Sequence, residues 1–113
     1  MKIGYKDKVY IHVIMLYIND IHSYLKDKKL EELHYNSMLF HAVCMKLFQI
    51  GEFSVKISDK FKLQTKEVKW KDIKGFRNIL AHEYLYVRTY IIINILKTDL
   101  KVLEEVLRKY DTT

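Results

Sequence analysis

The sequence predicts an all-α fold, a small up-and-down bundle of four main helices with room for an extra short helix. The 113 residues include no proline and only three glycines, so a sandwich or barrel of short strands would lack the turn residues it needs. Half of the residues are hydrophobic and 30% are charged, as in an ordinary globular chain. The length predicts one domain over residues 1–113.

Apolar residues at helical spacing mark the first two helices. The first stripe consists of Ile11, Ile14, Ile18, Ile21 and Leu25, and the second of Phe40, Val43, Leu47, Ile50 and Ile57. The polar residues 26–29 end the first helix, and Asn36 or Ser37 caps the start of the second. Gly51 lies inside the second helix, where glycine costs about 1 kcal/mol relative to alanine. We therefore expect another backbone to approach closely at Gly51.

Two further helices follow a charge-rich connector. The periodicity breaks over residues 58–69. The third helix runs from about Trp70 to residues 81–84, with Ile73, Phe76 and Leu80 facing inward. The fourth runs from about Arg88 to Tyr110 and carries a stripe of leucines, which are Leu96, Leu100, Leu103 and Leu107. Short connections favour antiparallel neighbours.

The chain is basic, with a net charge of +6 and a pI near 9.3. This charge favours an anionic partner, whether nucleic acid, a membrane surface or an acidic protein, and it equally fits a solubilising surface. Seven lysines against three acidic residues give residues 56–74 a local charge of +4. Our candidates for binding phosphates there are Lys66, Lys69, Lys71 and Lys74. The alternative is that these lysines belong to a solvated loop.

Other features favour a cytoplasmic protein. The one cysteine, Cys44, lies in an apolar stretch and predicts a buried free thiol in a reducing compartment. The longest stretch without a charged residue, residues 33–45, has 13 residues, fewer than the roughly 20 of a spanning helix. No signal peptide is apparent. Because the five histidines show no repeated ligand spacing, we predict neither a metal site nor a cofactor.

The third helix carries polar side chains on two adjacent faces. At 100° per residue, Arg77 falls about 40° and Tyr84 about 20° from the inward-facing Ile73, if the helix extends that far. Asn78 and His82 fall about 140° and 180° away and face outward. An earlier helix end would bring His82 nearer to Arg77.

These residue types suit RNA cleavage. Histidine exchanges a proton near neutral pH, and arginine holds phosphate oxygens with a planar fork. RNA supplies its own nucleophile, the 2′-hydroxyl, so no metal is required. We therefore assign Arg77 and His82 as candidate catalytic residues, with the Asn78 amide orienting either one. The alternative is an ordinary surface arginine–histidine pair.

The stretch WKDIKGFRNILAHEY at residues 70–84 resembles the signature of HEPN-domain proteins, in particular the HepT-like toxins. Their motif is Arg-x4-His-x-Tyr, which Arg77, His82 and Tyr84 match. The Ile-Gly-Glu block at residues 50–52 is similar to a second block of these proteins, and the resemblance covers about residues 35–110. One departure is Met45, with Lys46 beside it, where the family often has a basic residue.

The resemblance implies a HEPN-like helical bundle that forms a homodimer, with two motifs lining a shared cleft. It implies a metal-independent endoribonuclease that acts as the toxin of a type II or type VII toxin–antitoxin pair. The partner would be a minimal nucleotidyltransferase (MNT) antitoxin that transfers AMP to Tyr84, within a homodimer or a larger hetero-oligomer. One alternative is a catalytically inactive HEPN binding module or scaffold for a nucleotidyltransferase. Another is an unrelated basic helical adaptor.

Three residues near the motif have two interpretations each. Glu52 either pairs with Arg77 across the helix interface or is an exposed helix residue. Tyr86 and Tyr90 either stack on a base or serve in packing.

Overall fold

The computed structural model describes residues 2–111, and every regular element within them is helical. The α-helices are α1 (Tyr5–Leu25), α2 (Ser37–Lys56), α3 (Asp59–Gln64), α4 (Trp70–His82), α5 (Thr89–Lys97) and α6 (Asp99–Arg108). Short 3-10 turns lie at Leu30–His34 and Tyr84–Tyr86. The all-α prediction is confirmed. The extra short helix is α3, which forms inside the connector where the periodicity breaks.

Helix α2 lies at the centre of the bundle. It packs against α1 on one side and α4 on the other, while α6 packs on α1. The buried positions of these helices follow the predicted stripes, among them Ile11, Ile14, Ile18, Val43, Leu47, Ile50, Ile73, Phe76, Leu100 and Leu103. One hydrophobic cluster therefore joins all the long helices.

Because α2 is buried on two sides, it is unusually apolar. Its length and its mean hydropathy of 1.2 would suit a membrane-spanning helix. The central helix of a globular bundle has the same properties, and two charged residues of α2 form ion pairs with neighbouring helices. These are Lys46 with Asp20 of α1 and Glu52 with Arg77 of α4. The composition of α2 is thus accounted for by its place between α1 and α4.

Side-chain caps fix where two of the helices start. Asn36 caps α2, because its Oδ1 accepts a hydrogen bond of 3.1 Å from the Leu39 N–H. Ser58 caps α3 by accepting one of 3.2 Å from the Phe61 N–H. The Ser58 hydroxyl and N–H both donate to the buried carboxylate of Asp7, at 2.5 and 2.9 Å. The start of α3 is therefore tied to α1.

The single fourth helix predicted from Arg88 to Tyr110 is wrong, because the structure has two helices there. The helix is interrupted at Thr98, which has φ −117° and ψ −87° and lies between α5 and α6. The Thr98 hydroxyl donates to the Asn94 carbonyl over 2.7 Å, a local bond that competes with helix continuation. The break lets α5 pack on the turn Leu30–His34 while α6 packs on α1.

The close approach predicted at Gly51 is confirmed, and the neighbour is α4. A Cβ atom built on Gly51 would lie 2.5 Å from the Cβ and 2.8 Å from the Cγ of Arg77. The Cα of Arg77 would be 3.4 Å away. Because these atoms lie at the base of the arginine, they move only if α4 itself moves. The absence of a side chain at Gly51 therefore sets the distance between α2 and α4.

We predict that Gly51→Ala destabilises the fold. Overpacking costs about 1–3 kcal/mol, against about 1 kcal/mol gained from helix propensity, so the free energy of unfolding should fall by up to about 2 kcal/mol in urea titrations. Gly75→Ala is the matched control, because nothing lies within 4 Å of a Cβ built there, and it should gain up to about 1 kcal/mol. Equal stabilisation by both substitutions would contradict a tight contact at Gly51.

Candidate active site

Arg77 lies on the face of α4 that meets α2, and two contacts hold it. Its aliphatic base packs on Gly51, and its Nε lies 3.3 Å from Oε1 of Glu52. The Nε–H does not point along that line, so this buried atom makes no hydrogen bond within residues 2–111. Of the two interpretations of Glu52, the pairing with Arg77 is the observed one, although Glu52 is also 43% exposed. An ion pair of this exposure is worth about 0–1 kcal/mol, so packing is the stronger constraint on Arg77.

His82 and Asn78 lie on the exposed side of α4, about 140° and 100° around the helix from Arg77. His82 is the last residue of the helix. Neither side chain has a hydrogen bond or ion pair within the described part of the chain. The outward orientation expected for both is observed. The structure thus holds the arginine in place and leaves the imidazole, five residues later, without a bonding partner in the described residues. No hydrogen bond joins the two side chains.

Tyr84 does not continue α4, so the wheel position given for a helix that reaches residue 84 does not apply, and the earlier helix end is the observed alternative. The helix ends at His82, Glu83 leaves the helical conformation with φ −131°, and Tyr84 begins a 3-10 turn. Its half-buried ring turns towards α2, with its centroid 5.4 Å from that of His41. The helix end therefore directs the Tyr84 ring towards α2, the helix that Arg77 also contacts.

Tyr84 lines an apolar groove of about 390 Å³ between α2 and the end of α4. The other lining residues are His41, Cys44, Met45, Phe48, Leu80 and Ala81. Burial raises the pKa of the Cys44 thiol to about 12, so it stays protonated and acts as an apolar side chain. The buried free thiol predicted from the sequence is confirmed. We call this feature the apolar groove.

The residue that departs from the family pattern, Met45, is 56% exposed and lines the apolar groove. The neighbouring Lys46 does not replace a basic residue there. Its Nζ lies 3.0 Å from Asp20 Oδ2 and 4.8 Å from the centre of the Tyr17 ring, both on α1. The positive charge therefore lies on the side of α2 away from the groove.

The four lysines predicted as a phosphate-binding set do not form one cluster. Lys71 and Lys74 line a groove of about 330 Å³ together with Lys62 of α3. Lys69 lines a different groove, formed with residues of α5 and α6. Lys66 is exposed and lines neither. From the sequence, Lys62 contributed only to the local charge. Its position beside Lys71 and Lys74 was not predicted.

The remaining candidates are surface residues or structural ones. Tyr86 and Tyr90 are 84% and 62% exposed, so core packing does not occupy them. His12 contacts Asp111 at 3.2 Å and His22 contacts Glu104 at 2.8 Å, which links α1 to the C-terminal end of the fold. Over residues 2–111, no three histidine, cysteine, aspartate or glutamate side chains group as metal ligands.

His41 lies beside the candidate site, although its position in the sequence shows no ligand spacing that would single it out. Its ring contacts Tyr84, and it shares a face of α2 with Cys44, Met45 and Phe48. The spacing of three, four and seven residues was visible in the sequence as a second face. It was not recognised because the core stripe of α2 is defined by different residues.

Comparison with known proteins finds relatives that are described as putative ribonucleases. "Putative RNase MJ1380" of Methanocaldococcus jannaschii is 34% identical over 100 residues, covering 88% of this chain and 92% of the relative. "Putative RNase MJ0125" of the same organism is 31% identical over 80 residues, covering 71% and 69%. A longer protein, "Gamma-glutamylcyclotransferase and putative RNase MJ0434", is 28% identical over 102 residues, and the match spans 46% of its length. No solved structure matches the chain at comparable significance.

A family match covers most of the bundle. Residues 14–110 match the family described as Ribonuclease HepT-like. The matched region includes Gly51, Glu52 and the whole of α4 with its arginine and histidine. The predicted resemblance to the HepT-like family is thereby confirmed. The chain belongs to the HepT-like family of ribonucleases.

Proposed function

We propose that this chain is the toxin of a HEPN–MNT toxin–antitoxin pair, a metal-independent endoribonuclease of the cytoplasm. The observation that carries the proposal is the contrast between two residues of α4. Arg77 is fixed between Gly51 and Glu52, whereas His82 at the helix end is exposed and has no bonding partner in the described chain. A fixed cation suits phosphate binding, and a free imidazole suits proton transfer.

The reaction needs only groups that RNA and the protein supply. The 2′-oxygen attacks the adjacent phosphorus, its proton passes to a neutral His82, and the bond from phosphorus to the 5′-oxygen breaks. A protonated imidazole gives its proton to that leaving oxygen. The products are a 2′,3′-cyclic phosphate and a 5′-hydroxyl. Arg77 holds the phosphate oxygens as negative charge builds on them.

Two histidines in opposite protonation states suit this reaction, and the motif supplies one. A second copy of the chain would provide the other. The apolar groove offers a contact surface, because it is open, carries the exposed Met45 and borders Ala81 next to His82. The exposed Leu85 and Tyr86 extend the apolar surface beyond it. A homodimer through this face would bring two copies of α4 towards each other.

We predict that Met45→Glu weakens dimerisation. A carboxylate buried in an apolar contact is strongly unfavourable, so sedimentation velocity should show a shift from dimer to monomer, with loss of RNA cleavage. Leu63→Glu is the matched control, because Leu63 is a 65% exposed apolar residue of α3 that does not line the apolar groove. A wild-type monomer that cleaves RNA would contradict the dimeric site.

For catalysis, we predict that Arg77→Ala and His82→Ala each lower the RNA cleavage rate by about 10²–10⁴-fold and abolish toxicity, with helical circular dichroism retained. Arg77→Lys should fail similarly, since a point charge does not reproduce the planar guanidinium. Cleavage should persist in EDTA.

Matched controls for that experiment are Arg88→Ala and His34→Ala. Both residues are exposed and form no ion pair within residues 2–111, so neither substitution should affect cleavage. Wild-type activity in His82→Ala, or loss of wild-type activity on chelation, would contradict the mechanism. Absence of cleavage in every variant, with growth unaffected, would indicate an inactive scaffold instead.

Regulation rests on Tyr84. Its ring lines the apolar groove, one residue beyond the end cap of α4. An AMP group on its hydroxyl would place a charged phosphate and a nucleoside at the proposed dimer face, near His82. Both the size and the charge of the added group would oppose formation of a shared site.

We therefore predict that Tyr84→Phe stays folded and toxic but escapes neutralisation by an active MNT antitoxin. Mass spectrometry of the co-expressed wild-type chain should show the mass of AMP on the peptide that contains Tyr84. Tyr86→Phe is the matched control and should remain modified and neutralised, although Tyr86 is the more exposed tyrosine. Full neutralisation without any modified peptide would mean that the antitoxin acts by binding alone.

A further inference from the structure

Four exposed polar side chains form a row along the outward face of α4. Lys71, Lys74, Asn78 and His82 follow one another at intervals of three or four residues, so they stack on one side of the helix. The row spans about 16 Å, at 1.5 Å per residue. At its C-terminal end is the proposed catalytic histidine. At its N-terminal end are two lysines that form no ion pair within the described residues.

The N-terminal end of this row opens into a groove of about 330 Å³ between α3, the end of α2 and the start of α4. Lys62 reaches into it from α3. Its Nζ donates to the Val55 carbonyl at 3.4 Å and lies 5.7 Å from the centre of the Trp70 ring. We call this the lysine groove, defined by Lys62, Lys71 and Lys74.

The lysine groove has an excess of positive charge. Its three ammonium groups face one carboxylate, that of Asp59. Burial lowers the pKa of Lys62, the carboxylates of Asp59 and Asp7 raise it, and repulsion from the charge of Lys74 lowers it. An anion bound between the lysines would relieve this repulsion.

The groove that contains Lys69 is different, because its charges are balanced. Three lysines there, Lys69, Lys97 and Lys101, face three carboxylates, Glu67, Asp99 and Glu105. An anion would meet no net attraction from that set. Lys69 therefore does not extend the positive charge of the lysine groove, although it is close to Lys71 in the sequence.

We propose that the lysine groove binds backbone phosphates of an RNA strand that runs along the row on α4 to His82. This inference rests on the proposed cleavage of RNA and adds the path of the substrate. A polyanionic strand is the occupant that fits, since the row continues from two unpaired lysines to the reacting histidine. Contacts of this kind recognise the backbone and not the sequence.

The test measures binding separately from cleavage. In the His82→Ala variant of this chain, fluorescence anisotropy with a labelled 20-nucleotide RNA gives the dissociation constant at several salt concentrations. Lys71→Gln with Lys74→Gln should reduce the slope of log K against log salt by about 1.4, because each single-strand phosphate contact contributes about 0.7. Lys66→Gln with Lys69→Gln removes the same charge from the same segment and should reduce the slope by less than half of that.

Substrate length gives a second measurement. Affinity should rise as the RNA is extended from 2 to 20 nucleotides, and the Lys71 and Lys74 substitutions should remove most of that gain. Equal effects of the two lysine pairs, or no effect of either, would overturn the proposed path. So would a Lys71 and Lys74 variant that binds RNA normally but loses binding to an MNT antitoxin. If RNA binds as predicted but the wild-type chain cleaves none, the proposed catalysis fails while the binding path stands.

Discussion

The close contact between Gly51 and the base of Arg77 governs both the packing of the central helices and the position of the site. It joins α2 to α4 at the point where the chain carries its candidate phosphate-binding cation. A helix-interior glycine normally reduces stability, and here it permits a backbone approach that any side chain would prevent. The same contact brings Glu52 within 3.3 Å of the arginine. Core packing and site geometry are therefore fixed by one interface.

The second constraint is the end of α4. Because the helix ends at His82, the imidazole lies at a helix terminus, exposed, while the chain turns back towards α2. Tyr84 then joins the apolar groove between α2 and the end of α4. The two roles proposed for the motif, catalysis and control by modification, thus meet at the same helix end. A modification at Tyr84 would act on the surface beside the reacting groups, through the apolar groove.

Charge is distributed by the fold rather than by position in the chain. Lys69 and Lys71 are two residues apart, yet one faces carboxylates of the neighbouring helices and the other faces the lysine groove. The short helix α3 is responsible for the second arrangement, because it brings Lys62 next to Lys74. Its start is fixed by the bonds between Ser58 and Asp7 of α1. A basic connector in the sequence becomes an organised surface in this way.

The helical class, the core stripes, a cap at Asn36 or Ser37 and the motif on α4 could be predicted from the sequence, because periodicity, capping and spacing are local properties. It also indicated the close approach at Gly51, since an unfavourable glycine needs a reason. Three features could not be predicted in this way, namely the neighbour of that glycine, the interruption at Thr98 and the direction of Tyr84. Each depends on which helices meet across long stretches of chain. A single local hydrogen bond contributes about 1 kcal/mol, which is too little to predict these features without knowing the neighbouring helices.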